Sequence, residues 1–451
     1  MVNIEQIAQS GVVGAGGAGF PTHIKLSGKA DTVIVNAAEC EPLLHKDKEI
    51  ILRFPERVAA GLQIAMELTG AKTGIVGIKK KEQHVIETLE KRLPRSMSVK
   101  PLDDVYPAGD EFILVYETLG RVIPPGEIPL AVGAVVMNVE TSLNVADAAD
   151  GVPVTEKYLS VAGEVEHPCS VKVPLGISLA EVITRAGSID SRRLADSAYV
   201  IGGAMMGYVE TDLSKPVTKT TGGVIVLPKE HFIVQRKLWD WKKISRTGKS
   251  ACDQCSFCTE RCPRNLLGHP VEPHKAMRGL GFNPNGQNPF DPFPGSQFCC
   301  ECNLCSYIAC PEGLDPKNVC AENKRVMAAQ KIRYENPPFN KNRADLVMNN
   351  RKTPTHRLLT KIGLAKYTNK APLENITFEV RQVTLPLKQH IGTPCLPAVQ
   401  TGMRVQKGQR IAQRPVTDGK PALGVDIHSS LDGVVTAVTE NAIQITDTGR
   451  A

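Results

Sequence analysis

Apolar and polar positions in the first 150 residues follow two periods. Short apolar runs at 31–36 (Asp-Thr-Val-Ile-Val-Asn), at 73–78 and around Val99 read as buried strands. Between them, apolar residues recur at helical spacing over 46–69, where Pro55 is a natural break, and over 82–92. A short helix is expected at 4–9 and another after 106–111, and 135–141 reads as a last apolar strand ending in polar groups. This alternation predicts a parallel sheet, with ligands at the C-terminal ends of its strands.

The pattern changes after residue 150. Residues 156–173 alternate in period two around a turn at 166–168, which predicts a hairpin. A helix at 179–186, capped by Ser178 and ended by Gly187, is followed by strands at 198–202 and 220–228. A single basic helix carrying Trp239 and Trp241 is expected over 232–244. Residues 245–335 read as mostly helical, with helices at 264–269 and 318–330. Within them 281–295, rich in Pro, Asn and Phe, reads as a linker loop or as a shield over nearby chemistry. Residues 336–380 read as an exposed basic connector, and 381–451 as a small β domain. The expected division is 1–150, 151–235, 236–335, a linker at 336–380, and 381–451.

Composition adds limits. The chain has 451 residues, which by length alone suggests about three domains. Hydrophobic residues at 42% and charged ones at 22% indicate ordinary globular folding. No run of about 18 apolar residues exists, so no membrane insertion is expected. The N-terminus lacks the basic and apolar regions of a signal peptide. Thirteen cysteines in such a chain point to a reducing compartment and to metal ligation. The net charge of +7 is concentrated at 229–249 and 317–352. These stretches read as solvated helix faces or as a docking surface for an acidic partner or anionic cofactor. Aromatics do not interleave with the charges, so no nucleic acid is expected.

The densest chemistry lies at 252–311. Cys252-x-x-Cys255-x-x-Cys258-x-x-x-Cys262-Pro263 is the bacterial ferredoxin run. Cys299-Cys300-x-Cys302-x-x-Cys305 repeats it, with one extra residue before Cys310-Pro311. One tight loop supplies three thiolates to a [4Fe–4S] cube, and in two-cluster ferredoxins the fourth cysteine ligates the other cluster. The expected ligand sets are Cys252, Cys255, Cys258 and Cys310 on one cluster, and Cys299, Cys302, Cys305 and Cys262 on the other. The extra residue leaves Cys300 and Cys320 as nearby substitutes for Cys310. The competing readings are zinc, which favours two separated Cys-x-x-Cys pairs, and disulfides, which suit short secreted chains. Cys40, Cys169 and Cys395 read as small core residues.

Gly14, Gly16 and Gly19 fit G-x-G-x-x-G, but a helix precedes them, Pro21 follows and the strand comes later. This is not a dinucleotide fingerprint. It is a bare loop that can approach a phosphate or a flat ring. Four segments occur in order: Gly-Ala-Gly-Gly-Ala-Gly-Phe-Pro at 14–21, Asn-Ala-Ala-Glu-Cys-Glu-Pro at 36–42, Tyr-Pro-Ala-Gly-Asp-Glu at 106–111 and Asn-Val-Glu-Thr at 138–141. Together they resemble the FMN- and NADH-binding subunit of respiratory complex I, and still more the RnfC component of Rnf-type electron-transport complexes. The resemblance implies FMN contacts from Gly14, Gly16, Gly17, Lys25, Asn36, Glu39, Tyr106, Gly109, Asp110, Glu111, Asn138 and Thr141. It also implies stacking of NADH on Phe20. Ala38 stands where the complex I pattern is acidic, as in the Rnf-like branch. No general acid or base is expected.

The chain as a whole is expected to be multidomain α/β: a Rossmann-like FMN-binding domain, then a helical ferredoxin-type domain with two [4Fe–4S] clusters, each flanked by smaller β domains. Residues 151–235 look like the β-grasp (SLBB) domain of those proteins, some relatives of which bind corrinoids. Residues 381–451 resemble a lipoyl-type barrel-sandwich hybrid. Its hairpin carries Leu431-Asp432-Gly433 where carrier domains present a lysine, which argues for a structural or docking role. In RnfC proteins a similar segment comes first, whereas here it comes last. That order is similar to the cobalamin reductases of bacterial propanediol-utilisation microcompartments. The similarity implies electron flow from NADH through FMN and the clusters to cob(III)alamin and cob(II)alamin, in coenzyme B12 recycling during 1,2-propanediol degradation. Implied partners are cobalamin, cob(I)alamin adenosyltransferase and a microcompartment shell protein, in the cytoplasm and its microcompartments. Two other readings stand beside it: a peripheral component of an Rnf-type membrane complex, and a non-catalytic electron-transfer module docked on a shell protein.

Overall fold

Val33, Ile34 and Val35 are fully buried at the centre of a four-stranded parallel sheet. Its order is Met97–Leu102, Thr73–Lys79, Thr32–Ala37, Ala134–Asn138. The computed structural model describes residues 2–281, 292–367, 370–417 and 419–447. Most of the expected 281–295 loop therefore lies outside the described residues. The expected helix over 46–69 is broken at Phe54, and Pro55 opens a second helix, Pro55–Thr69. That helix crosses Val139–Ala149 backbone to backbone, because a Cβ on Gly61 would lie 1.8 Å from the Ser142 carbonyl oxygen. The expected strand 135–141 stops at Asn138. The Asn138 side chain accepts from Glu140 N at 3.0 Å and caps the helix that follows, so 139–141 form a helical turn.

The second sheet has six strands, in the order Leu373–Glu374, Cys169–Pro174, Glu156–Gly163, Gly223–Pro228, Ser197–Ile201, Tyr208–Glu210. The expected hairpin is its antiparallel pair Glu156–Gly163 and Cys169–Pro174, and Gly223–Pro228 runs parallel to the first of these. The helix Leu179–Gly187, capped by Ser178, packs Val182 and Ile183 into the core of this sheet. The single basic helix expected at 232–244 is two helices, Phe232–Lys237 and Trp241–Ala251. Asp240 interrupts it, because its carboxylate accepts from Lys243 N at 2.7 Å and so starts a new helix.

The cysteine region is a layer of short helices, among them Phe257–Glu260, Pro263–Leu266, Pro273–Gly281 and Pro316–Ala329. The expected connector 336–380 is not an exposed linker. It forms Arg343–Arg351, a strand Thr353–Pro354 paired with Val105–Tyr106, the helix Thr355–Lys361, and the edge strand Leu373–Glu374. Leu358 in that helix, and Ile362 and Leu364 just beyond its end, are fully buried, hidden among lysines and arginines. The final strands form two small sheets, one of Gln382–Pro386, Ala442–Thr446, Gly433–Val438 and Arg404–Val405, the other of Leu396–Pro397, Arg410–Gln413 and Ile427–His428. Their buried Leu385, Val435 and Ile445 belong to one continuous core with Val35 of the first sheet and Ile50 of the helix Lys46–Arg53. Among the described residues no helix is long and apolar enough to cross a membrane.

Candidate functional site

The strand ends of the first sheet bring the four segments together. Asn36 donates from Nδ2 to Gly109 O at 2.8 Å and accepts from Ala38 N at 3.2 Å. Thr141 Oγ1 accepts from Ala15 N at 2.9 Å, which anchors the glycine loop to a helix start. The loop closes on itself through Gly14 N to Phe20 O at 2.9 Å and Gly19 N to Gly14 O at 3.2 Å. A Cβ on Gly16 would meet Asn138 Cβ at 3.4 Å, whereas Gly17, at φ +116°, faces open space. Lys25 pairs with Glu111 at 2.6 Å and donates to Val136 O at 3.1 Å. Asp110 caps the helix Glu111–Leu119, and Phe20 is half-buried at the loop's end. Tyr106 is set apart from this group: its hydroxyl donates to the Cys302 carbonyl oxygen at 2.9 Å, in the cysteine layer.

Glu39 adopts φ +35° and caps Lys46–Arg53, accepting from Asp47 N at 2.9 Å and Lys48 N at 3.4 Å. Enclosure, and then the neighbouring Asp47, push its carboxyl up to about 8. Asn138 Nδ2 reaches the same place, donating to Asp47 Oδ2 at 2.6 Å.

Beneath the loop lies a buried ionic group that sequence reasoning missed. Glu140 Oε2 receives both Lys46, at 2.9 Å, and Lys157, while its Oε1 accepts from Tyr158 N at 3.0 Å. Lys157 also donates to the Ala15 carbonyl at 3.1 Å, so a strand of the second sheet supports the glycine loop. Burial opposes the Glu140 charge, but Lys157 and Lys46 outweigh it and hold the carboxyl below its usual range. Burial lowers Lys157 to about 8 against the pull of Glu140. The one available signal was a lysine inside an otherwise apolar strand. Glu41 was also missed: its carboxylate accepts from Met205 N and Met206 N, each at 2.9 Å. A Cβ on Gly203 would come within 2.4 Å of that carboxylate, so glycine is required there.

The two cysteine runs share one loop conformation. Gln254 and Ser256 have φ of 61° and 64°, and Glu301 and Asn303 have 57° and 66°. This matches Cys252 with Cys299, Cys255 with Cys302 and Cys258 with Cys305, and leaves Cys300 out of register. The extra residue before Cys310 is absorbed by a π-turn over Cys305–Ala309, closed by Cys310 N to Cys305 O at 3.1 Å. Cys310 thereby lines one cavity together with Cys252, Cys255 and Cys258. Burial, then Cys310, Cys252 and Cys255, push the Cys258 thiol up to about 12. Ionising such a group of thiols needs a cationic centre. Cys262 is raised by burial and by Cys300 and Cys299, and Cys305 by burial and by Cys299, Cys262 and Cys258, so the two loops face one another. All thirteen cysteines are free. Among the described residues no three potential ligands converge as around a single metal ion. Cys252, Cys255, Cys258 and Cys310 line open space instead.

An open glycine loop at the strand ends of a parallel sheet, set against paired ferredoxin loops, defines a flavin- and iron–sulfur-dependent oxidoreductase. Residues 7–147 match the Nuo51 FMN-binding domain, 251–315 a 4Fe-4S dicluster domain, and 361–450 the RnfC barrel sandwich hybrid domain, which starts earlier than the expected residue 381. Cobalamin reductase PduS of Citrobacter freundii and that of Salmonella typhimurium are each 41% identical over 442 residues, 98% of this chain and 95% of theirs. The RnfC-type component of the Na(+)-translocating ferredoxin:NAD(+) oxidoreductase complex of Acetobacterium woodii is 33% identical over 270 residues, 58% of each chain. The chain belongs to the PduS cobalamin reductase family.

Proposed function

We propose that the chain oxidises NADH and passes its electrons singly to cob(III)alamin and cob(II)alamin. The observation that carries this reading is the seating of the cysteine layer against the glycine-and-acid face, where Arg264 donates to Asp110 at 2.9 Å beside the Tyr106–Cys302 bond. The residues fit the cofactors: Gly17 leaves open space at the tip of the loop, and Cys252, Cys255, Cys258 and Cys310 line one cavity. FMN, once bound, converts a two-electron donor into a one-electron source, and two [4Fe–4S] clusters relay single electrons. Gly14, Gly16 and Gly17 admit the phosphate or ring by bare backbone. Lys25, Asn36, Glu39, Gly109, Asp110, Glu111, Asn138 and Thr141 orient FMN, and Phe20 receives the nicotinamide. Cys252, Cys255, Cys258 and Cys310 hold one cluster, and Cys299, Cys302, Cys305 and Cys262 the other. Tyr106 serves the junction between flavin and cluster rather than the flavin alone.

The second sheet is read as a β-grasp domain, supported by its parallel pairing of Glu156–Gly163 with Gly223–Pro228 and by the crossing helix Leu179–Gly187. Cob(I)alamin adenosyltransferase and a microcompartment shell protein are the proposed partners, with a cytoplasmic microcompartment as the proposed location. The test is anaerobic purification, assay of iron, sulfide and flavin, and mixing with NADH and then cob(III)alamin. Bleaching of the flavin followed by corrinoid reduction is expected. A flavin that NADH does not bleach would overturn NADH oxidation. A bleached flavin that reduces ferredoxin but no corrinoid would favour the Rnf-like reading.

A further inference from the structure

Arg264 lies two residues beyond Cys262, in the short helix Pro263–Leu266, and is only 8% exposed. Its Nη2 donates to Asp110 Oδ2 at 2.9 Å, and its guanidinium lies 3.5 Å from the centroid of the Phe112 ring. The residue thus bridges a segment assigned to the flavin and a cysteine assigned to a cluster. Its Nε and Nη1 have no hydrogen-bond partner among the described residues. Besides Asp110, the groups that act on this guanidinium are Cys300, whose thiol is within hydrogen-bonding reach of it, and then Cys262. Buried donors are rarely left unmade, and an arginine with two idle N–H groups beside cysteine sulfur is suited to an anionic sulfur acceptor. Hydrogen bonds donated to cluster sulfur favour the more negative, reduced state and raise the reduction potential.

We infer that Arg264 is a positioning residue that raises the reduction potential of the cluster bound through Cys262, making it the better acceptor for electrons leaving the flavin. This rests on the proposed two-cluster reading. A single electron enters the cluster and the guanidinium keeps its protons, so the step needs no other reactant. Among the described residues, Arg236, the buried arginine at the Cys310 end, spends both terminal nitrogens on the carbonyl oxygens of Gly313 and Leu314 and leaves only Nε unpaired, against two unpaired nitrogens on Arg264. The two clusters would therefore differ in potential although their loops share one conformation.

The test is an EPR-monitored redox titration of the full holoprotein, wild type against Arg264→Gln, with iron and sulfide measured on the same samples. One midpoint potential is expected to fall by about 59 mV or more, a tenfold change in a one-electron equilibrium, while the other stays. Two unmoved potentials, or two that move together, overturn the inference. If Arg264→Gln loses a cluster, Arg264→Lys decides, because it keeps the charge without the fork. A retained cluster at lowered potential supports the inference, and a wild-type potential or a lost cluster overturns it. Fewer than about eight irons per reconstituted wild-type chain would instead overturn the two-cluster reading, and this inference with it.

Discussion

Tyr106 donates its phenolic hydrogen to the Cys302 carbonyl oxygen at 2.9 Å, joining the short strand Val105–Tyr106 to the second cysteine loop. Both residues are buried, in one core with Leu304, Leu358 and Ile362. Tyr106→Phe keeps the ring and removes the bond, for an expected loss of about 1 kcal/mol. Flavin bleaching by NADH should keep its rate while cluster reduction slows several-fold. Stopped-flow traces at flavin and cluster wavelengths separate the two, and equal slowing of both would contradict the assignment of Tyr106 to the junction.

The proposed crossed ligation is supported at one end by the π-turn, which returns Cys310 to the cavity of the first loop. Cys310→Ala should disturb the cluster of Cys252, Cys255 and Cys258, and Cys262→Ala the other. Each should lower iron from about eight to about four per chain. Cys300→Ala should leave iron unchanged, because Cys300 is out of register with the matched loops. Iron and sulfide assays check all three variants.

Glu140 is the common acceptor of two buried lysines. Glu140→Gln leaves those ammonium groups under-compensated, and removing one partner of a buried ionic group typically costs about 3–5 kcal/mol. The expected result is a large fall in denaturation midpoint together with loss of flavin, because Lys157 also supports Ala15. Urea unfolding and the flavin content of the purified variant measure both effects.

Acid should loosen the seat of the C-terminal barrel. Burial lowers His428 from 6.5 to about 3, with Lys219 adding to the effect, and burial lowers His23 from 6.5 to about 4, with Arg414 adding to it. Asp426 and Glu5 pull the other way. In both histidines the folded value lies below the unfolded one, so the unfolded chain binds more protons in the interval between. The stabilisation is complete above about pH 6.5 and is lost as pH falls toward about 4, at up to about 1.4 kcal/mol per unit for each group. His428→Gln should flatten the fall in urea midpoint between about pH 6.5 and 5. A slope equal to wild type would contradict the assignment.

Much of this was legible in the chain because spacing and burial agree there. Val33 to Val35, the hairpin after Glu156 and both cysteine runs carry their geometry in local pattern. The break before Trp241 was not legible, because an aspartate side chain competing for backbone N–H groups is invisible to hydrophobic periodicity. Residues 336–380 were misread because their charges mask Leu358, Ile362 and Leu364. The partners of Glu140 come from residues 46 and 157, and only the tertiary fold brings them together.

The short strand Thr353–Pro354 pairs with Val105–Tyr106, and Leu373–Glu374 extends the second sheet beside Cys169–Pro174. A stretch late in the chain thus completes two bodies built much earlier. Recombination between relatives with a crossover near residue 335 would hand each body a foreign edge strand and a foreign cover for Tyr106. In this lineage, exchange is expected to succeed only when 105–106, 169–174 and 353–374 come from the same parent.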